Sequence, residues 1–283
     1  MLVSAVNVSE GRRPQVLEDL DAACESLLLD RHTDPDHNRS VFTLAAADAA
    51  TLLAAVQALA VAVSEQVNIV GHEGVHPRIG ALDVVPFAAL APTPSDAAIA
   101  AAHEFGSWWS ARNVPVFFFD DAAADHRSLP EVRRDAFVRL SPDLGPDTPN
   151  PELGATAVAA RPPLVAINCD LDRHDPELAR QIATRVRERD GGLPGVRALG
   201  FELAEGGCSQ VSMNLVALDR TGVEAACTRV RELAQVRAAD VARIELVGLL
   251  PAAELARCSD KFRAWSGLDE SATVEGRAHA SQT

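Results

Sequence analysis

The chain has 283 residues, 47% of them hydrophobic and 23% charged, with a formal net charge of −14 at pH 7. That length allows one large domain or two ordinary ones with a sizeable core, and acids spread along the chain argue against nucleic acid, which needs clustered Lys and Arg. Five cysteines, odd in number and without a CxxC pair, fit reduced thiols rather than a disulfide framework or zinc ribbon.

Residues 2–8 are a short β-prone run closed by Asn7-Val8-Ser9-Glu10-Gly11. No basic region precedes an apolar stretch here, so no signal peptide is read and a cytoplasmic location is expected. Pro14 suits the first turn of a helix running to about residue 24. Residues 27–30 and 39–45 read as strands around the polar turn 32–37, with Val41 and Thr43 supplying β-branched character. Residues 49–66 are helical by composition and apolar spacing. Their most apolar part is short and flanked by Asp48 and Glu65, so no membrane span is expected.

Next comes Gly71-His72-Glu73-Gly74-Val75-His76-Pro77-Arg78-Ile79-Gly80-Ala81-Leu82-Asp83, leading into a strand at 82–87. The order so far is β, α, β, β, α, β, the split βαβ of ferredoxin-like folds. A helix at 95–112, a strand at 114–119 and a short helix at 130–137 complete the first half. Residues 141–151 hold four prolines and read as a domain linker, or as a ligand loop between two domains. The second half repeats the order: strand 164–170, helix 176–189, strands 196–203 and 209–217 joined by a turn at Glu205-Gly206-Gly207, helix 223–236, and strand 243–249 before a last short helix. The expected fold is α+β: two tandem ferredoxin-like (βαββαβ) subdomains with mixed or antiparallel sheets and a cleft between them. They would span 1–145 and 146–268, followed by a polar, disordered tail at 269–283.

His72-Glu73-Gly74-Val75-His76 matches the HExxH zinc motif, which needs both histidines on one helix face. Gly74 weakens a helix there and Pro77 disfavours the helical region for His76, so no metal is expected; a zinc hydrolase is the outlying alternative. As a loop histidine, His76 has a pKa suited to proton transfer near neutrality, or it caps a turn. His72 either supports it or is simply exposed. Arg78 offers a planar fork for a carboxylate, or a salt bridge to Asp83 or another acid. Asn7, Glu10, Asn38 and Arg39 are strand-end residues that line a cleft or form turns.

Several blocks resemble the glutamate formiminotransferase family. They are Asn7-Val8-Ser9-Glu10-Gly11, His37-Asn38-Arg39-Ser40-Val41, His76-Pro77-Arg78-Ile79-Gly80-Ala81-Leu82-Asp83-Val84, Gly154-Ala155-Thr156, Ala166-Ile167-Asn168-Cys169-Asp170-Leu171, Gln210-Val211-Ser212-Met213-Asn214-Leu215 and Leu246-Val247-Gly248-Leu249-Leu250-Pro251. They fall in the family's order over about the first 260 residues. The resemblance implies two similar subdomains with folate held between them, and no fused cyclodeaminase domain. It implies transfer of a formimino group from N-formimino-L-glutamate to tetrahydrofolate as co-substrate, with His76 as the catalytic base and no metal. It further implies a homodimer, and substrate contacts from Asn7, Glu10, Asn38, Arg39, Arg78, Gly80, Asp83, Asn168 and Asn214. The family's folate loop corresponds to 145–154, including Gly145, Leu153 and Gly154. Its interior departs from the vertebrate enzymes at Asp147, Asn150 and Leu153, as do Pro162-Pro163 and His32 elsewhere. A second reading keeps the fold and pocket but changes the donor or acceptor, or binds folate without catalysis.

Overall fold

The computed structural model describes residues 1–75, 77–202 and 208–281, which fall into two compact units, Met1–Pro162 and Pro163–Thr283. In the first unit the elements are β1 (Leu2–Val8), α1 (Pro14–Cys24), β2 (Leu28–Asp34), β3 (Arg39–Ala46), α2 (Ala49–Gln66), β4 (Leu82–Ala89), α3 (Ser95–Ser110), β5 (Val116–Asp120), α4 (Leu129–Asp135) and β6 (Thr156–Ala160). Pro14 opens α1, where its missing N–H costs nothing. The Asp48 side chain caps α2 by accepting the Thr51 N–H at 2.9 Å. By length and composition α2 matches a membrane-crossing helix, yet Leu52, Val56, Leu59, Ala60 and Val63 are 0% exposed. It is a core helix, packed with α1 and α3 against one sheet face through Leu2, Val6, Phe42, Leu44 and Phe87.

The sheet runs β2-β3-β1-β4-β6-β5. β1 to β4 pair antiparallel, while β4, β6 and β5 run parallel. Sequence reading did not anticipate β6. Its run Thr156-Ala157-Val158-Ala159-Ala160 carries one β-branched apolar residue, and all five positions are buried, as expected of a parallel strand covered on both faces. Thr156 ties it in: its hydroxyl accepts from Trp109 Nε1 at 2.9 Å and donates to the Leu82 carbonyl at 2.8 Å. On the second sheet face α4 buries Val132 against Val84, Phe117, Phe119, Ala157 and Ala159.

Strand β6 moves the domain boundary. A division at 145/146 would cut a central strand from its sheet, and the chain divides instead between Pro162 and Pro163. The proline-rich segment is bonded within the first unit: the Val116 N–H donates to Leu144 O at 2.9 Å, and Asn150 Nδ2 to Asn113 O at 3.0 Å.

The second unit comprises β7 (Val165–Leu171), α5 (Pro176–Val186), β8 (Val196–Glu202), β9 (Ser209–Leu215), α6 (Val223–Gln235), β10 (Val241–Val247), α7 (Ala252–Arg257), α8 (Asp260–Ser266) and α9 (Val274–Ala280). Its antiparallel sheet has the order β10-β7-β9-β8. The expected turn at Glu205-Gly206-Gly207 lies outside the described residues. Helices α5 and α6 cover one face through Ile167, Cys169, Leu178, Ile182, Met213 and Val230. The expected disordered tail at 269–283 instead contains a short 3-10 turn, Glu270–Ala272, and the helix α9. Val274 is buried, and its N–H donates to Leu250 O at 3.0 Å. The reason is tertiary: two apolar residues, Val274 and Ala278, reach cover on the same side of α9.

Candidate functional site

Two webs of side chains organise the polar end of the first unit. The first closes the turns. Glu10 is 3% exposed, and its carboxylate accepts the Arg12 and Arg13 N–H groups at 2.8 and 2.9 Å and Arg13 Nε at 2.5 Å. Burial pushes that carboxyl up, but these bonds outweigh it and hold it below the ordinary value. Asn38 adopts φ 46°. Its Oδ1 accepts the Gly11 N–H at 3.0 Å and its Nδ2 donates to Glu73 O at 2.9 Å. Arg78 then clamps the 72–78 loop to the 35–38 turn, donating to His37 O at 2.8 Å and Asn38 O at 3.1 Å. It also contacts His72 Nδ1 at 2.7 Å. Guanidinium only donates, so His72 accepts there and is neutral. Burial first, then the Arg78 charge, push its pKa down. Of the two readings offered for Arg78, Asp83 is not its hydrogen-bond partner in this web; backbone carbonyls are.

The second web centres on Asp83, which is 0% exposed. Along the ladder Asn7 pairs with Val84 and Val8 with Leu82, so Asp83 is the extra residue of a β-bulge, a device that re-aims a side chain. Its Oδ2 takes Arg39 NH1 at 2.8 Å and Arg133 NH2 at 2.7 Å. Its Oδ1 accepts the Ile79 N–H at 2.7 Å. Asn7 Oδ1 accepts Arg39 Nε and NH2 at 3.1 and 2.6 Å. Burial raises the Asp83 carboxyl, yet the two arginines and the Ile79 N–H win and hold it below the usual range. Burial pulls Arg39 down to about 10.

The 145–154 loop lies against this segment. Gly80 and Gly154 bridge one another, and Ala81 N–H donates to Leu153 O at 2.9 Å while Ala155 N–H donates to Ile79 O at 3.0 Å. A Cβ on Gly80 would stand 2.0 Å from Ala155 O, and one on Gly154, at φ +70°, 2.3 Å from Ile79 O. Both glycines are required by backbone crossing. Gly145, at φ +88°, turns the loop's other end beside Val114 O. Leu153 packs its side chain on the main core.

The structure thus brings Asn7, Glu10, Asn38, Arg39, Arg78, Gly80, Asp83, Leu153 and Gly154 to one region of the first unit. His76, the expected base, lies outside the described residues; His72, Glu73 and Val75 before it are in irregular backbone rather than helix. Among the described residues no group of three or more His, Cys, Asp or Glu side chains is placed to hold a metal. Arg133 escaped the sequence reading, because a basic residue on a short helix carries no local signal and only its contact 50 residues away gives it meaning.

Asn168 and Asn214 lie in the second unit, on the sheet face opposite α5 and α6. Asn168 is buried and donates to Glu245 Oε2 at 3.0 Å; Asn214 is exposed. Around them Asp170 accepts Gln210 Nε2 at 2.9 Å and Arg243 Nε at 2.7 Å, and Arg243 NH2 meets Glu245 at 2.9 Å.

Comparison with known proteins follows the same division. Residues 1–161 match the formiminotransferase domain, N-terminal subdomain, and residues 166–271 match the formiminotransferase domain. The chain is 32% identical over 265 residues to a glutamate formimidoyltransferase of Streptococcus pyogenes, covering 88% of each chain. It is 31% identical over 287 residues to a glutamate formimidoyltransferase of Thermoplasma acidophilum, covering 95% of this chain and 94% of that one. A formimidoyltransferase-cyclodeaminase of Gallus gallus is 33% identical over 267 residues, covering 87% of this chain but 49% of the relative, about half its length. Two subdomain matches that meet within a few residues of the structural boundary, and relatives aligned along nearly the whole chain, place this protein in the formiminotransferase family.

Proposed function

We propose that the protein transfers the formimino group of N-formimino-L-glutamate to tetrahydrofolate, giving 5-formiminotetrahydrofolate and glutamate. The observation that carries this reading is the near full-length match to two glutamate formimidoyltransferases. The folate amine attacks the amidine carbon and loses a proton; the C–N bond to glutamate breaks, and the glutamate nitrogen leaves protonated. A base with a pKa near neutrality suits both transfers, and His76 is the residue in this role. Described residues that follow it in sequence are anchored: Arg78 donates to the 35–38 turn, and Asp83 holds the backbone at Ile79. Anchored neighbours of a base limit the reorganisation a reaction requires. Tetrahydrofolate serves as co-substrate, and the same reading takes the protein as a cytoplasmic homodimer.

Incubating the protein with formiminoglutamate and tetrahydrofolate should release glutamate and form 5-formiminotetrahydrofolate. His76→Ala should lower kcat about 100-fold or more, the usual size of a general-base contribution. No product from the unaltered protein, with folate binding retained, would mean a different donor. Gel filtration giving a 30.0 kDa species at working concentration would exclude the dimer.

A further inference from the structure

Asp83 is bracketed by two guanidiniums, and one carboxylate balances only one of them. Arg39 NH1 and Arg133 NH2 converge on the same oxygen, while the other oxygen is occupied by a neutral N–H. Asn7, another partner of Arg39, is neutral too. Among the described residues two guanidiniums thus meet on one carboxylate, within a chain whose net charge is −14. Arginine does not shed its proton at physiological pH, so deprotonation gives no relief. A cation held largely out of water is a cost until an anion meets it. Arg133 keeps donor capacity beyond its bond to Asp83, since its buried Nε finds no acceptor among the described residues. Access is kept as well: the side chains of Arg39 and Arg133 are 12% and 16% exposed. Planar forks of this kind match a carboxylate through paired hydrogen bonds.

We propose that Arg133, with Arg39 beside it and Asp83 positioning both, binds a carboxylate of a glutamate moiety. The inference rests on the formimino-transfer reading for the source of that carboxylate. The formiminoglutamate donor and the glutamate tail of tetrahydrofolate present the same chemistry. Asp83 is a positioning residue. Its Oδ2 stops two like charges from splaying, and its Oδ1 fixes Ile79, three residues past His76. The anion site and the catalytic loop therefore share one anchor.

The test combines steady-state kinetics for both substrates with calorimetric binding of L-glutamate to the full chain and to Arg133→Gln. The variant should weaken glutamate binding, and raise the KM of one substrate, by about 10- to 100-fold, the range for a hydrogen bond to a charged group, with kcat retained. A rise confined to formiminoglutamate names the donor as the source. A rise confined to tetrahydrofolate, and absent with tetrahydropteroate, names the tail. Asp83→Asn should raise the KM of the same substrate while Asp83→Glu restores part of it, a split that loss of fold would not give. If Arg133→Gln fails to fold, Arg133→Lys supplies the same reading, with a smaller rise in KM. Unchanged glutamate affinity and unchanged KM for both substrates would overturn the site while leaving the reaction standing. Glutamate binding that is lost in Arg133→Gln, in a protein that transfers no formimino group, would overturn the reaction and leave the site. A protein that does not bind glutamate and whose KM values ignore Arg133 overturns the proposal outright.

Discussion

The two units carry the same element order and the same strand arrangement, β2-β3-β1-β4 in one and β8-β9-β7-β10 in the other, read from opposite edges. Each also breaks its ladder at an equivalent place, where the start of the fourth strand meets the end of the first. The bulge falls at Asp83 in the first unit and at Ala242 in the second. Beside each bulge an acid meets an arginine, but the surroundings differ. In the first unit α4 covers that face; Asp83 is buried, and the side chains of its two arginines are only 12% and 16% exposed. In the second, the helix core lies on the other face, and the side chain of Arg243 beside Asp170 is 59% exposed. A common frame thus yields a charge centre with shielded arginines in one copy and one whose arginine reaches solvent in the other. The difference arises from the added α3, β5, α4 and β6, since the βαββαβ core is shared.

Substitutions that strike each copy at matched points test this contrast. Trp108 and Trp109 belong to the first unit and Trp265 to the second, so urea unfolding followed by fluorescence in a Trp265→Phe background reports on the first alone. The largest effect is expected from Gly80→Ala, whose Cβ would stand 2.0 Å from a backbone oxygen. We expect a loss of about 5 kcal/mol, the size reserved for clashes that rigid backbone cannot relieve. The first unit's transition should collapse. An unfolding midpoint within error of the parent would show that the Gly80–Gly154 crossing is looser than the geometry indicates.

Next come the two acids. Asp83→Asn leaves two largely shielded guanidiniums without their shared counter-charge and should cost about 3–5 kcal/mol. Asp170→Asn removes the acceptor of a solvated arginine and should cost only about 1 kcal/mol. Equal losses in a denaturant titration would erase the distinction between the centres.

The smallest effect is on pH dependence. Burial is the first cause lowering the pKa values of His37 and His72, both in the first unit. The unfolded chain takes these protons at about pH 6.5, before the folded one does. The stability contributed by keeping them neutral is therefore complete above that pH, and is lost as pH falls toward the lower folded values. The first unit's melting temperature should drop between pH 7 and pH 5.5, and His37→Gln should blunt the drop. A flat profile would remove these histidines from the account.

Sequence alone determined the duplicated βαββαβ core, because its signals are local: Pro14 opening a helix, the apolar period of residues 49–66, the β-branched run at 39–45. It also singled out the 71–83 segment, whose glycines and charged side chains concentrate where the structure finds backbone crossings and an ion cluster. Only the tertiary structure gave the rest. Strand β6 is nearly all alanine, and its place depends on parallel partners rather than on its own pattern. The boundary at 162/163 follows from that strand, and the helix at 274–280 starts where Val274 and Ala272 pair with the Leu250 backbone. Asp83 lies 44 residues from Arg39 and 50 from Arg133. Charges so far apart in sequence are brought together by chain topology, and no spacing along the chain encodes their meeting.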